Sequence, residues 1–216
     1  MVTATWWLTN RKCLGKRLCK SDPKSESSSA RPVPGGSPIP TNWLFNIAKE
    51  RNDADFEIVD LRDYPMPFFQ EKVPLHVAPP QNEVALRWGE KVASLDGYIF
   101  VTAEYNHSIP AVLKNALDYL TSQINRKPAT FLGYGGGGAA RAVDHLRNIL
   151  ATAQVASLPR TIHICMIEMM GMMREGKSMA DYPYLDDYAK PMLDELVWWA
   201  NTLKEGRSGD SVAEAA

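Results

Sequence analysis

The chain has little cysteine. Cys13, Cys19 and Cys165 are the only three in 216 residues. They are too few and too scattered for a disulfide framework or a four-ligand zinc site. A reducing, cytoplasmic setting is therefore expected. A long apolar run is also missing. No stretch approaches the roughly 18–20 residues that cross a bilayer, so no membrane partner is expected. Nor is there an excess of charge, since 24 Lys+Arg stand against 25 Asp+Glu. The charge is uneven, however. Residues 1–31 carry seven Lys/Arg and two acidic residues, a net +5 that leaves −6 for the rest within a total of −1. A body of that sign offers no basic face to phosphates, which argues against a nucleic-acid partner. His76, His107, His145 and His163 lack the spacing of metal ligands, and no metal site is expected. With 45% hydrophobic and 23% charged residues, what remains is an ordinary globular composition, long enough to bury a full core.

Three regions read differently. Residues 1–28 are basic and polar apart from the patch Thr5-Trp6-Trp7-Leu8, and are expected to be poorly ordered. Their charges follow the apolar patch, whereas a secretory signal has them before it. An organelle-targeting peptide is a second reading, but the amphipathic Arg pattern is poor. Residues 29–204 form the expected domain, and residues 205–216 read as a disordered tail.

Within the domain, helices and strands alternate. Thr41 or Asn42 is expected to cap a helix running to about Arg51. Phe56-Glu57-Ile58-Val59-Asp60-Leu61 reads as a strand. Residues 82–94 form a helix with Val84, Ala85, Trp88 and Val92 as its stripe. Gly97-Tyr98-Ile99-Phe100-Val101-Thr102 is a near-continuous apolar run, as in a strand covered on both faces. Further helices are expected at 111–120, 139–151 and 186–204, with strands at 129–134 and 160–166. This alternation indicates parallel βαβ units, a sheet sandwiched by helices.

In open sheets of this kind ligands bind beyond the carboxyl ends of the strands. Two loops there carry chemistry. Thr102-Ala103-Glu104-Tyr105-Asn106-His107-Ser108-Ile109-Pro110 offers backbone N–H groups, a ring, an amide and a hydroxyl, a set suited to the edge of a flat heteroaromatic ring. Tyr134-Gly135-Gly136-Gly137-Gly138 leads into a helix. Its glycines let backbone approach a ligand, and the helix start favours negative charge. A plain tight turn needs only one glycine.

These two loops, with Asp60-Leu61-Arg62-Asp63-Tyr64-Pro65-Met66-Pro67 and Leu113-Lys114-Asn115-Ala116-Leu117-Asp118, resemble the NADPH-dependent FMN reductase family, in order, over about residues 28–200. The resemblance implies a flavodoxin-like, doubly wound, five-stranded parallel sheet with helices on both faces. It implies bound FMN, NADPH or NADH as reductant, and a homodimer or homotetramer. It also implies hydride transfer to a quinone, free flavin, azo compound or metal oxyanion. By matching position, Glu104, Tyr105, Asn106 and Ser108 border the isoalloxazine, beside Ala103, where the family has proline. Tyr134, Gly135, Gly136, Gly137 and Gly138 run along the other side. Ser29 and Arg31, in Ser29-Ala30-Arg31-Pro32, match the phosphate loop. No catalytic side chain is expected, because the cofactor carries the hydride chemistry.

The family's apolar first strand has no counterpart directly before Ser29. Residues 19–28 hold Pro23 and almost nothing apolar, so they cannot form an interior strand. Either residues 4–9 fill the slot, or the start is divergent, the fold incomplete and FMN weakly held. The second arrangement is the expectation, and with it an atypical or missing first strand. The alternative function is then a non-catalytic flavodoxin-like binding protein. A third reading rests on Gly171-Met172-Met173-Arg174-Glu175-Gly176-Lys177-Ser178, which fits the nucleotide-binding pattern GxxxxGK[ST]. It needs a helix after Ser178, where Pro183 interrupts.

Overall fold

Continuous burial of two apolar runs builds the centre. In the computed structural model, which describes residues 5–6 and 38–213, β1 is Thr5–Trp6 and β2 is Val59–Asp60. The long strands are β3, Tyr98–Ala103, β4, Pro128–Tyr134, and β5, Ala156–Ile164. Every residue of β3 and β4 is buried. Their alternating side chains feed two cores. Tyr98, Phe100 and Phe131 join Trp88, Val92, Leu113 and Leu146 on one face. Ile99, Val101 and Leu132 join Leu44, Ala48, Leu193 and Leu196 on the other.

The first face is covered by α2 (Glu83–Ala93), α3 (Ala111–Asp118) and α4 (Ala140–Thr152). The second is covered by α1 (Pro38–Ala48) and α6 (Tyr184–Ala213). Helix α2 shows why the local sequence folds this way. Asn82 Oδ1 accepts from the N–H groups of Val84 (2.9 Å) and Ala85 (3.1 Å), a side-chain cap on two otherwise unpaired donors. Ala85, Trp88 and Val92 then form one buried stripe. The Trp88 indole donates to Ala116 O at 2.8 Å, tying α2 to α3.

The described strands form one sheet in the order β2-β1-β3-β4-β5. Strands β3, β4 and β5 are mutually parallel. Strand β1 is antiparallel to both β2 and β3, so β2 runs in the direction of β3. This is the expected flavodoxin-like order with an atypical first strand. The expectation of an unfilled slot is corrected, because residues within the 4–9 segment occupy it. They run against the expected direction.

Several boundaries differ from the sequence reading. Helix α1 starts at Pro38, leaving Thr41 inside the helix and buried rather than capping it. Strand β2 stops at Asp60, whose carboxylate accepts from Arg62 N–H (2.9 Å) and turns the chain into a short 3-10 helix, Leu61–Asp63. Strand β5 begins at Ala156, four residues earlier than expected, and carries a bulge through Pro159. Helix α6 continues through Gly206 to Ala213, where a disordered tail was expected. The nucleotide-binding reading fails. Gly171 lies inside a further helix, α5 (Met166–Arg174), and Ser178 opens only a three-residue 3-10 turn.

Candidate functional site

The registers Ala103↔Tyr134 and Tyr134↔Ile164 bring three strand ends level at one edge of the sheet. The 104–110 loop, the 135–139 loop and the start of α5 therefore emerge side by side.

The first loop is a tight turn. Tyr105 N–H donates to Ser108 O (2.9 Å) and Ser108 N–H to Tyr105 O (3.0 Å). Between them Asn106 and His107 have φ of 50° and 64°. Two successive left-handed residues make a primed hairpin turn, a conformation that Asn and His adopt more readily than most non-glycine residues. Asn106 and His107 are exposed, as is the Tyr105 ring. Ala103, by contrast, is buried in the second core, so it forms floor beneath the loop.

Glu104 is turned away from the turn's tip. Its Oε2 accepts from the N–H groups of Arg141 (3.1 Å) and Ala142 (3.3 Å), and its Oε1 from Arg141 Nε (2.7 Å). The Arg141 guanidinium adds an ion pair at 2.6 Å. The negative group that settles at the α4 N-terminus is thus the protein's own carboxylate. Burial pushes the Glu104 carboxyl up. The bonds from Arg141 and Ala142, with the Arg141 charge, outweigh this and hold it below its ordinary value. Ser108 Oγ and His145 Nδ1 share a hydrogen bond of 2.7 Å.

The second loop needs glycine at particular places. A Cβ on Gly133 would lie 2.3 Å from Gly138 O, because the loop folds back over the end of β4. Gly138 has φ of 62°, and a Cβ there would meet His163 Cβ at 2.6 Å. His163 Nδ1 and Gly138 O lie in hydrogen-bond contact at 2.7 Å, and Gly135 N–H donates to Ile164 O at 3.1 Å. Below the loop, Cys165 precedes α5 and its N–H donates to Glu168 Oε2 at 2.8 Å. Buried Glu168 also accepts from the Tyr184 hydroxyl. Burial first, then the Glu168 charge, push the Cys165 thiol up.

The outer part of the loop is open. Among the described residues, a Cβ on Gly135 would touch nothing within 4 Å, and one on Gly136 would meet Met166 Cε alone, at 3.8 Å. Among the described residues, bare backbone thus lies uncovered beside the exposed turn. That surface fits one edge of a flat ring, which an added side chain would obstruct. Of the expected flavin neighbours, the structure brings together Glu104, Tyr105, Asn106, Ser108 and Gly135 to Gly138. The Tyr134 side chain is buried in the second core and, like Ala103, lies beneath the loops. Ser29 and Arg31 lie outside the described residues. Arg141, His145 and Met166 escaped the sequence reading. For the first two a signal was present, since they stand four apart on a helix that begins directly after the glycines.

Comparison with known proteins agrees with this arrangement. The model of the NADPH-dependent FMN reductase family matches residues 28–167. An NAD(P)H-dependent FMN reductase of Schizosaccharomyces pombe is 34% identical over 124 residues, which is 56% of this chain and 62% of that protein. The CrdA subunit of an NADH:(hydroxy)cinnamate reductase from Vibrio ruber is 33% identical over 170 residues, 74% of this chain and 78% of its own. The chain therefore spans less than two thirds of the yeast protein's length. Among solved structures, RosB with bound 8-demethyl-8-formylriboflavin-5'-phosphate superposes with a TM-score of 0.56 at 14% identity. That match covers 86% of this chain and 84% of RosB, and shares its fold. On its two strand-end loops, its sheet order and the family match over residues 28–167, this chain belongs to the NADPH-dependent FMN reductase family.

Proposed function

We propose that the chain is an NAD(P)H-dependent oxidoreductase that holds FMN between the 104–108 turn and the 135–138 loop. The observation carrying this reading is the open glycine backbone beside a pinned, exposed turn at the carboxyl edge of β3 and β4. Bound FMN would supply hydride transfer from NADPH or NADH to a small acceptor such as a quinone, flavin, azo compound or metal oxyanion. The chain's part is to bind and orient. The main chain of Glu104, Tyr105, Asn106 and Ser108 borders the ring. Gly135, Gly136, Gly137 and Gly138 line its other side, above Ala103 and Tyr134. Ser29 and Arg31 hold the phosphate, and the dipole of α1 adds to that contact.

The same reading takes residues 29–204 as the cofactor-binding unit. It assembles the chain as a homodimer or homotetramer, which the 61% exposure of Trp198 supports. It also places the chain in the cytoplasm, in keeping with its three scattered cysteines. The test is NADPH or NADH oxidation with a quinone acceptor, with and without FMN. FMN-dependent turnover is expected, and absence of turnover with both reductants contradicts it.

A further inference from the structure

Two strand-end loops border the candidate flavin site, and one helix is fastened to both. Helix α4 follows directly from the glycine loop. Its residues Arg141 and His145 stand four apart, so they share one face of the helix. Arg141 holds Glu104, at the start of the 104–108 turn, through its backbone N–H and its guanidinium. His145 holds Ser108, at the turn's end, at 2.7 Å. Between these two anchors lie the left-handed Asn106 and His107. Such a conformation persists in non-glycine residues only where the surroundings impose it. The cross-turn bonds between Tyr105 and Ser108 close the turn on itself. The bonds to α4 fix where it stands relative to the glycines.

We infer that Arg141 and His145 are positioning residues. They hold the 104–108 turn in its left-handed form and set its distance from the 135–138 loop, so that both present main chain to the same ring. This rests on the flavin reading given above. Both side chains are exposed, so neither is a core group whose loss opens a cavity.

The test compares wild type with Arg141→Met, His145→Leu and the double variant, and with His145→Asn, whose amide reaches the position of Nδ1. Three quantities are read: amide exchange of residues 104–108 in the FMN-free protein, thermal unfolding of the same protein, and FMN affinity from quenching of flavin fluorescence. Exchange of the turn is expected to quicken in the double variant while the unfolding midpoint stays within about 3 °C. FMN affinity is expected to fall about tenfold for each anchor lost, the effect of one well-placed hydrogen bond to a charged or preorganised group. His145→Asn is expected to recover most of the His145→Leu loss. Unchanged exchange overturns the inference. So does faster exchange with unchanged FMN affinity, a general drop in the unfolding midpoint, or failure of Asn to rescue. A wild-type chain that binds no FMN overturns the flavin reading itself, whereas a wild type that binds FMN no better than the variants overturns only the positioning roles.

Discussion

Single residues decide how this sheet can carry a site at one end and be closed at the other. At the far end, the Lys127 amine is buried and donates to Val92 O (3.0 Å), Ala93 O (2.9 Å) and Gln123 O (2.8 Å). It thereby adds a donor to the last carbonyls of α2, of which Val92 O also accepts from the Tyr98 hydroxyl (3.1 Å) and the Leu95 N–H (3.2 Å). Burial, then the Arg207 charge, lowers its pKa to about 8, against a smaller upward pull from Asp96. A lysine whose folded pKa is depressed carries a penalty below that pKa, because the folded chain must keep a buried charge. Raising the pH from 8 toward the unfolded value of about 10.4 relieves it, since only the unfolded chain still binds the proton. Lys127→Met is expected to cost about 1–3 kcal/mol by removing the amine that Ala93 O and Gln123 O accept from. Urea unfolding should show the wild-type advantage over this variant widening between pH 8 and pH 10. An advantage that narrows contradicts the assignment.

At the site end, Gly133 and Gly136 make opposite predictions. Gly133→Ala drives a Cβ against Gly138 O and should destabilise the protein by about 1–3 kcal/mol, the usual cost of overpacking, while displacing the loop. Among the described residues, Gly136→Ala meets only the Met166 side chain. It should melt like wild type without FMN and lose affinity only when FMN is titrated. Glu104 shows what sequence left hidden at this scale. Its place at the start of the 104–108 turn was legible from the motif. Its carboxylate's commitment to Arg141 and Ala142 depends on where α4 begins relative to β3, which no local pattern records.

Elements were readable where the pattern was clean, as in α2 and the mostly apolar, fully buried β3 and β4. They were missed where a local feature argued against them. Pro159 concealed the first half of β5, since proline breaks a strand ladder. The strand survives because it lies at the sheet edge, with its bulge there. The bulge's carbonyls find side-chain donors. Arg147 reaches Leu158 O (2.6 Å) and Thr161 Oγ1 (2.9 Å) while stacking 4.4 Å over Phe131, and the Thr130 hydroxyl donates to Arg160 O (2.6 Å). Arg147→Met should therefore cost about 2–3 kcal/mol in urea unfolding, with Arg147→Lys intermediate because it keeps charge without the planar fork. Equal stability of all three proteins would contradict this role.

Helix α5 was hidden by five methionines without a stripe. The end of α6 was hidden by Gly206 and Ser208, both poor helix formers. Tertiary anchors overrode propensity in that last stretch. Asp96 accepts from Lys204 (2.7 Å) and Arg207 (2.9 Å), and Arg207 also donates to Arg126 O (2.7 Å).

For the whole molecule, the doubly wound class followed from alternating patterns alone, and the family from its motifs in order. The central slot did not. A two-residue antiparallel strand is too short to leave a periodic signal, and its place between β2 and β3 comes from the sheet's need to pair both neighbours. The most direct measurement is the visible absorption spectrum of the purified chain after loading with FMN and removal of the excess. Flavin bands at close to one FMN per chain are predicted. A colourless protein would contradict the flavin site.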